Sequence, residues 1–320
     1  MYPMKLTPAC KDYLWGGTRL KTEFGKVTDL SKVAESWELS CHKDGPSTIA
    51  NGPEAGKLLT DYIEEKGKAV LGTHCEKFEY FPILIKLIDA KDNLSVQVHP
   101  DNDYALRVEG EYGKTEMWYI VDCEPGAQLL YGFKNEISTE EFRRRIADNT
   151  LLEVTNSVPV HKGDVFFIDA GTLHAIGKGI LIAEIQQNSN TTYRIYDYGR
   201  VGADGKPRQL HVDKAVEVTR LQPPTRSTRP QGETQHSQGG DQTLLASCDY
   251  FTVNHVELKD ALTFTADETS FHSLLCLEGS ATLQYEGGEL SLGKGESVFV
   301  PANTGSYTLR GACDLLLTTI

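Results

Sequence analysis

Short apolar runs separated by glycine-bearing turns recur at close spacing through this chain, and they constrain its fold more than any other feature. Residues 165–168, 180–183, 274–277, 281–285 and 297–300 are each four or five apolar or alternating positions. Runs this short, bounded by turn residues, read as β-strands. Only two segments carry a helical signature. One follows Thr60, over 61–71. The other opens with Ser138-Thr139-Glu140-Glu141, a capping-box pattern, and continues through Phe142 and Ile146. Many short strands with few helices predict a mainly β chain built as sandwich or barrel.

The strand pattern also runs twice. Gly163 is followed by a five-residue run and then Asp169-Ala170-Gly171-Thr172-Leu173-His174. Gly295 is followed by a five-residue run and then Pro301-Ala302-Asn303-Thr304-Gly305-Ser306. Upstream, 117–121 before Gly126 matches 273–277 before Gly279, and the Ser138 helix is an insertion in the first copy. Two jelly-roll barrels in tandem are therefore expected. Residues 222–242, rich in Pro, Gly, Ser, Thr and Gln, read as a linker. This gives an N-terminal barrel with helical insertions over 1–221, the linker, and a smaller barrel over 243–320.

Charge narrows the partners. The 320 residues carry 45 acidic and 32 basic side chains, a net charge of −13. Such a field disfavours nucleic acid and anionic membrane surfaces, so an anionic ligand must be met by a few locally placed Lys and Arg. The most apolar window, 80–90, is broken by Lys86 and too short to span a bilayer. The start, Met1-Tyr2-Pro3-Met4-Lys5-Leu6, does not resemble a secretory leader, and the seven cysteines include no Cys-x-x-Cys pair. Reduced thiols in a cytoplasmic protein are expected. The oligomeric state stays open, and a monomer suffices.

The richest polar positions fall in three pieces. In Leu94-Ser95-Val96-Gln97-Val98-His99-Pro100, strand alternation puts Ser95, Gln97 and His99 on one face. In Lys114-Thr115-Glu116-Met117-Trp118, Lys114 and Glu116 share a face, and Gly171-Thr172-Leu173-His174 ends the Gly163 unit. Taken singly, His99 reads as an ordinary surface or core histidine and Glu116 as part of a solvated strand face. Barrel geometry brings the three pieces to one mouth. Two His, one Glu and a Gln oxygen then suit Zn²⁺, and equally Mn²⁺, Fe²⁺ or Co²⁺. A second polar block, Glu184 to Arg194, follows directly on an apolar strand. In the repeat, His174 is matched by Ser306 and Glu116 approximately by His272. The second barrel is therefore expected to hold no metal and to act by packing.

These segments, with Leu14-Trp15-Gly16-Gly17, Glu35-Ser36-Trp37-Glu38-Leu39-Ser40 and Gly171-x-x-His174-Ala175, resemble the type I mannose-6-phosphate isomerases in their short bacterial form. The resemblance implies a cupin-type jelly roll followed by a degenerate second barrel. It implies reversible interconversion of D-mannose 6-phosphate and D-fructose 6-phosphate through a cis-enediol, with a phosphorylated hexose as substrate. One Zn²⁺ would be held by Gln97, His99, Glu116 and His174. Arg194 falls on the catalytic arginine, and Ser95, Lys86 and Lys114 fall on substrate- or phosphate-binding positions. Asn190 stands where many members carry Asp. That leaves Glu184, His99 and Lys114 as candidates for the base, with Glu184 also placed among the substrate contacts. Two other readings share these residues: a different sugar-phosphate cupin isomerase or epimerase, and a non-catalytic sugar-phosphate sensor, which Asn190 favours.

Overall fold

All eight residues of Ile83–Ala90 and all eight of Ile180–Gln187 are buried, charged positions included. A strand can be buried on both faces only if its sheet is covered on both sides. The computed structural model, which describes residues 1–201 and 205–320, shows how this is done. The two strands sit at the centre of a six-stranded sheet, in the order Val165–Ile168, Glu116–Cys123, Ile180–Gln187, Ile83–Ala90, Glu35–Leu39, Ala9–Lys11. Opposite lies a five-stranded sheet: Tyr193–Tyr196, Val96–Val98, His174–Ala175, Gln128–Phe133, Thr155–Pro159. Ile88, Trp118, Ile120, Phe166 and Ile182 from the first sheet meet Leu129 and Tyr131 from the second in the interior of this barrel.

The other face of the six-stranded sheet, including Ile85, Leu87, Met117, Ala183 and Ile185, packs on Phe251, Val253, Phe271, Leu275, Phe299 and Leu316. Those residues lie on, or directly before, strands of a ten-stranded sheet that wraps a second core containing Val256, Leu274, Leu283, Val298, Tyr307 and Leu315. On the far side of the first barrel, Phe142 and Ala215, from helices Thr139–Ala147 and Val212–Val218, cover Val96, Val98, Leu173 and Tyr193. The chain is thus mainly β, two barrels in tandem with few helices, as the repeat predicts.

The structure refines several local expectations. The first helix spans Leu59–Lys66 and stops at Gly67, whose φ of +80° ends it in the left-handed region, with a short 3₁₀ turn, Lys68–Val70, beyond. Ser138 caps the second helix by accepting the Glu141 N–H at 3.1 Å, while the Glu141 carboxylate pairs with Arg145 at 3.0 Å. Segments 274–277 and 281–285 are one strand, His272–Tyr285, with a bulge between Cys276 and Glu278. Strand Gln235–His236 and the start of Gly240–Ser247 lie inside the stretch expected as linker. Strand Met4–Thr7 pairs with Ser297–Val300 of the second barrel's sheet.

Candidate metal centre and substrate site

One face of the six-stranded sheet changes character along its length. Register pairs Ile182 with Ile88 and Ile120, then Glu184 with Lys86 and Trp118, then Gln186 with Glu116. Side chains directly opposite one another share a face. The interior therefore has an apolar floor and, toward one end, a polar site. Across the barrel, Gln97 is paired on one side with His174 and on the other with Arg194. The three separate sequence pieces therefore meet at one end of one barrel.

The ligand atoms of His99, Glu116 and His174 lie within 4.8 Å of one another, and all three residues are buried. His99 Nδ1 donates to the Thr191 carbonyl at 2.9 Å, and His174 Nδ1 to the Thr172 carbonyl at 2.8 Å. A carbonyl only accepts, so both rings present an unprotonated Nε2 to the cluster. His174 Nε2 is 3.4 Å from Glu116 Oε1, and His99 Nε2 is 3.9 Å from Glu116 Oε2. The Gln97 amide reaches His174 Nε2 at 3.4 Å, and a half-turn of the amide would present its oxygen instead. Gly171 ties the two histidine segments together: its N–H donates to the His99 carbonyl at 2.8 Å. Its φ is +88°, and a Cβ there would stand 2.8 Å from the Val218 carbonyl.

Electrostatics fit a cation at this point. Three buried carboxylates, Glu35, Glu116 and Glu184, face two ammonium groups, Lys86 and Lys114. Lys86 Nζ stands 3.5 Å from Glu35 and 3.3 Å from Glu184, and Lys114 Nζ 3.1 Å from Glu116 and 3.9 Å from Glu184. One negative charge is left over. Neither oxygen of Glu116 receives an aligned hydrogen bond. Burial, and then the Glu184 carboxylate, push the Glu116 pKa up. Burial holds both histidines down, His174 to about 4 and His99 well below its usual value, with Lys114 adding to the effect on each. Neutral imidazoles beside a buried carboxylate–lysine cluster with one negative charge in excess form a site that a divalent cation completes.

Glu184 behaves differently from Glu116. Burial alone would raise it, but Lys114, Lys86 and the Trp118 indole N–H at 2.9 Å hold its pKa below the usual carboxylate range. Burial works against the Lys86 charge, yet Glu35 and Glu184 keep its pKa above the ordinary lysine value. Arg194 leans away from the histidines: its Nε donates to Ser95 Oγ at 3.3 Å and an Nη to the Gln209 carbonyl at 3.1 Å. All of the site residues expected from the sequence are thus gathered in this barrel. Glu35, which accepts from the Trp37 indole at 2.7 Å, was not among them. Its signal was the alternation Glu35-x-Trp37, which points both side chains at the Lys86 face. The His42, Asp44 and Glu111 group around Asn190 was also missed, because it comes from separate loops.

Fold and site together define a two-barrel cupin-type protein with a buried metal-ligand set in its first barrel. The family described as "Phosphomannose isomerase type I, catalytic domain" matches residues 4–119, and "Mannose-6-phosphate isomerase, cupin domain" matches residues 241–320. The probable mannose-6-phosphate isomerase GmuF of Bacillus subtilis is 37% identical over 317 residues, covering 99% of this chain and 98% of that one. The crystal structure of the mannose 6-phosphate isomerase from Bacillus subtilis superposes with a TM-score of 0.92 at 36% identity, covering all of both chains. A zinc-bound mannose 6-phosphate isomerase shares the fold at a TM-score of 0.79 and 19% identity, covering 99% of each chain. The chain belongs to the type I phosphomannose isomerases.

Proposed function

We propose that this protein is a zinc-dependent aldose–ketose isomerase interconverting D-mannose 6-phosphate and D-fructose 6-phosphate, with Gln97, His99, Glu116 and His174 as the zinc ligands. The observation that carries it is the convergence of two neutral imidazoles on the buried Glu116, whose oxygens receive no aligned hydrogen bond, in a chain similar along its whole length to named mannose-6-phosphate isomerases. Bound zinc would supply Lewis-acid polarisation of the substrate's carbonyl edge.

The chain's own residues supply orientation and proton transfer. Ser95, Gln97 and His99 lie on one strand face at about 7 Å intervals, two residues each. On this reading the sugar's reacting end lies at the histidines and its phosphate at Ser95 and Arg194. Burial, and then Arg208, hold the Arg194 pKa below the usual arginine value, a cost that an arriving phosphate relieves. Glu184 is the favoured base. His99 is committed to the metal, and Lys114 faces two carboxylates, whereas Glu184 is held ionised. It takes the proton from C2 of the open-chain aldose and returns it to C1 of the cis-enediol, while the O2 proton passes to O1. Lys114 and Lys86 hold Glu184 ionised before it takes the C2 proton, and the carboxylate is restored when that proton is delivered to C1. Free thiols at all seven cysteines suit a reducing, cytoplasmic setting. Among the described residues no helix is long and apolar enough to cross a membrane.

A coupled assay with mannose 6-phosphate, run before and after chelator treatment and zinc reconstitution, tests the reading. Activity lost with the metal and restored by zinc supports it. A metal-free preparation of full activity would refute the metal's part, and inactivity of the zinc-loaded protein toward this sugar would refute the substrate.

A further inference from the structure

His99 and His174 are oriented in different ways. His174 Nδ1 donates to the carbonyl of Thr172, two residues away in its own turn. His99 Nδ1 donates to Thr191, 92 positions along the chain, in the loop after strand Ile180–Gln187. The orientation of His99 is therefore only as good as the placement of that loop. Its inner side is held by Gln186, whose side-chain N–H group donates to the Ser189 carbonyl at 2.7 Å. Its outer side rests on Glu111. One oxygen of Glu111 accepts the Asn190 N–H at 3.3 Å and the Thr191 hydroxyl at 3.4 Å. The other pairs with Lys43 at 2.9 Å and lies 3.5 Å from the buried His42 Nε2. The Asn190 side chain in turn donates to Asp44 at 2.8 Å.

We infer that Glu111 is a positioning residue for His99, acting through the Asn190 N–H and the Thr191 hydroxyl, and that Asn190 is the residue type this arrangement requires. The inference rests on His99 being a metal ligand. Glu111 and Asp44 both present carboxylate oxygens to residue 190, so an amide can donate where a carboxylate would be repelled. The Asn at this position is therefore a structural consequence of Asp44 and Glu111 and not a sign of lost function. Partners of this kind fix ligand tautomer and ring direction, and their loss weakens metal binding about 10- to 100-fold.

The test uses the full chain, with zinc affinity measured by competition against a chelator and the histidine Nδ1–H protons followed by NMR in the metal-free protein. Glu111→Ala should weaken zinc binding about 10-fold and speed solvent exchange of the His99 Nδ1–H, leaving the His174 Nδ1–H protected. Asn190→Asp should change both readouts in the same direction. Lys43→Ala, which leaves Glu111 on the loop, should change neither. Glu111→Gln, which keeps one accepting oxygen, should fall between wild type and Glu111→Ala and stands in should the alanine variant fold poorly. Wild-type affinity together with a protected His99 Nδ1–H in both Glu111 variants would overturn the inference. The NMR readout needs no zinc, so a wild type that fails to take up zinc would overturn the metal reading while leaving the role of Glu111 in orienting His99 separately decided.

Discussion

Glu116 and Arg194 carry opposite electrostatic burdens, and each yields a distinct expectation. Glu116 is fully buried with no aligned donor, so in the metal-free protein its charge is a cost to folding. Glu116→Gln should therefore abolish stoichiometric zinc uptake while leaving the metal-free protein as stable as wild type or more so, read by elemental analysis and thermal unfolding. Clear destabilisation of the metal-free variant would show that Lys114 already compensates this carboxylate. Arg194→Lys keeps the charge but loses the fork that engages Ser95 and Gln209 together. Loss of one charge-assisted hydrogen bond is worth about 1.5–3 kcal/mol, so kcat/KM for the phosphorylated sugar should fall about 10- to 100-fold. Zinc content should be normal. An unchanged kcat/KM would remove Arg194 from the substrate site.

At the level of elements, the two barrels use the same strand-and-turn unit for different ends. Where the first barrel places Glu116 and His174, the second places His272 and Ser306, and its interior is filled by packed side chains. His272 Nδ1 shares a hydrogen bond with the Tyr307 hydroxyl at 2.8 Å, and Ser306 bonds to Thr265 at 3.0 Å. Burial pushes His272 down to about 4. The unfolded chain then takes up this proton first, near pH 6.5, and the folded protein only near pH 4. Stability from this group is thus complete above about pH 6.5, declines as pH falls toward 4, and levels off below. His272→Gln should flatten that acid-side decline, visible as a smaller fall in Tm between those pH values in metal-free protein. An identical pH profile would show that His272 titrates normally. Zinc content should be unchanged in this variant and in Ser306→Ala. A second zinc equivalent lost with His272 would contradict the packing role.

For the whole molecule, the decisive feature is the apolar layer between the barrels. Phe271 stacks on Phe81 of the first barrel at 5.5 Å between ring centroids and contacts Phe299 at 5.2 Å, and it is fully buried. Phe271→Ala should cost about 3–5 kcal/mol, measured by denaturant unfolding, with the residual fold still binding zinc. A cost near zero would mean the layer relaxes into the gap. Removing residues 243–320 should do more. It strips the partner strand from Met4–Thr7 and exposes the outer face of the six-stranded sheet, so the remaining chain should aggregate. A soluble, zinc-binding fragment would show that the first barrel stands alone.

Much of this was written in local pattern. Alternation at Ser95, Gln97 and His99, the glycine-bounded runs and the Ser138 cap depend on neighbours within a few residues, where period and turn chemistry act directly. They sufficed for a mainly β chain of two barrels and for the group of polar side chains at one end of the first. The tertiary structure alone decided the rest, because it depends on distant parts of the chain. The strand Ile83–Ala90 reads as one apolar run, yet Lys86 faces the site and Leu87 the other barrel only because sheets cover both sides. The Met4–Thr7 strand completes the far sheet through hydrogen bonds to a segment nearly three hundred residues away. Glu111 reaches Asn190 across a gap that no short-range pattern encodes. Periodicity specifies which side chains share a face; only packing specifies what that face meets, since burial and charge compensation are properties of the assembled layers.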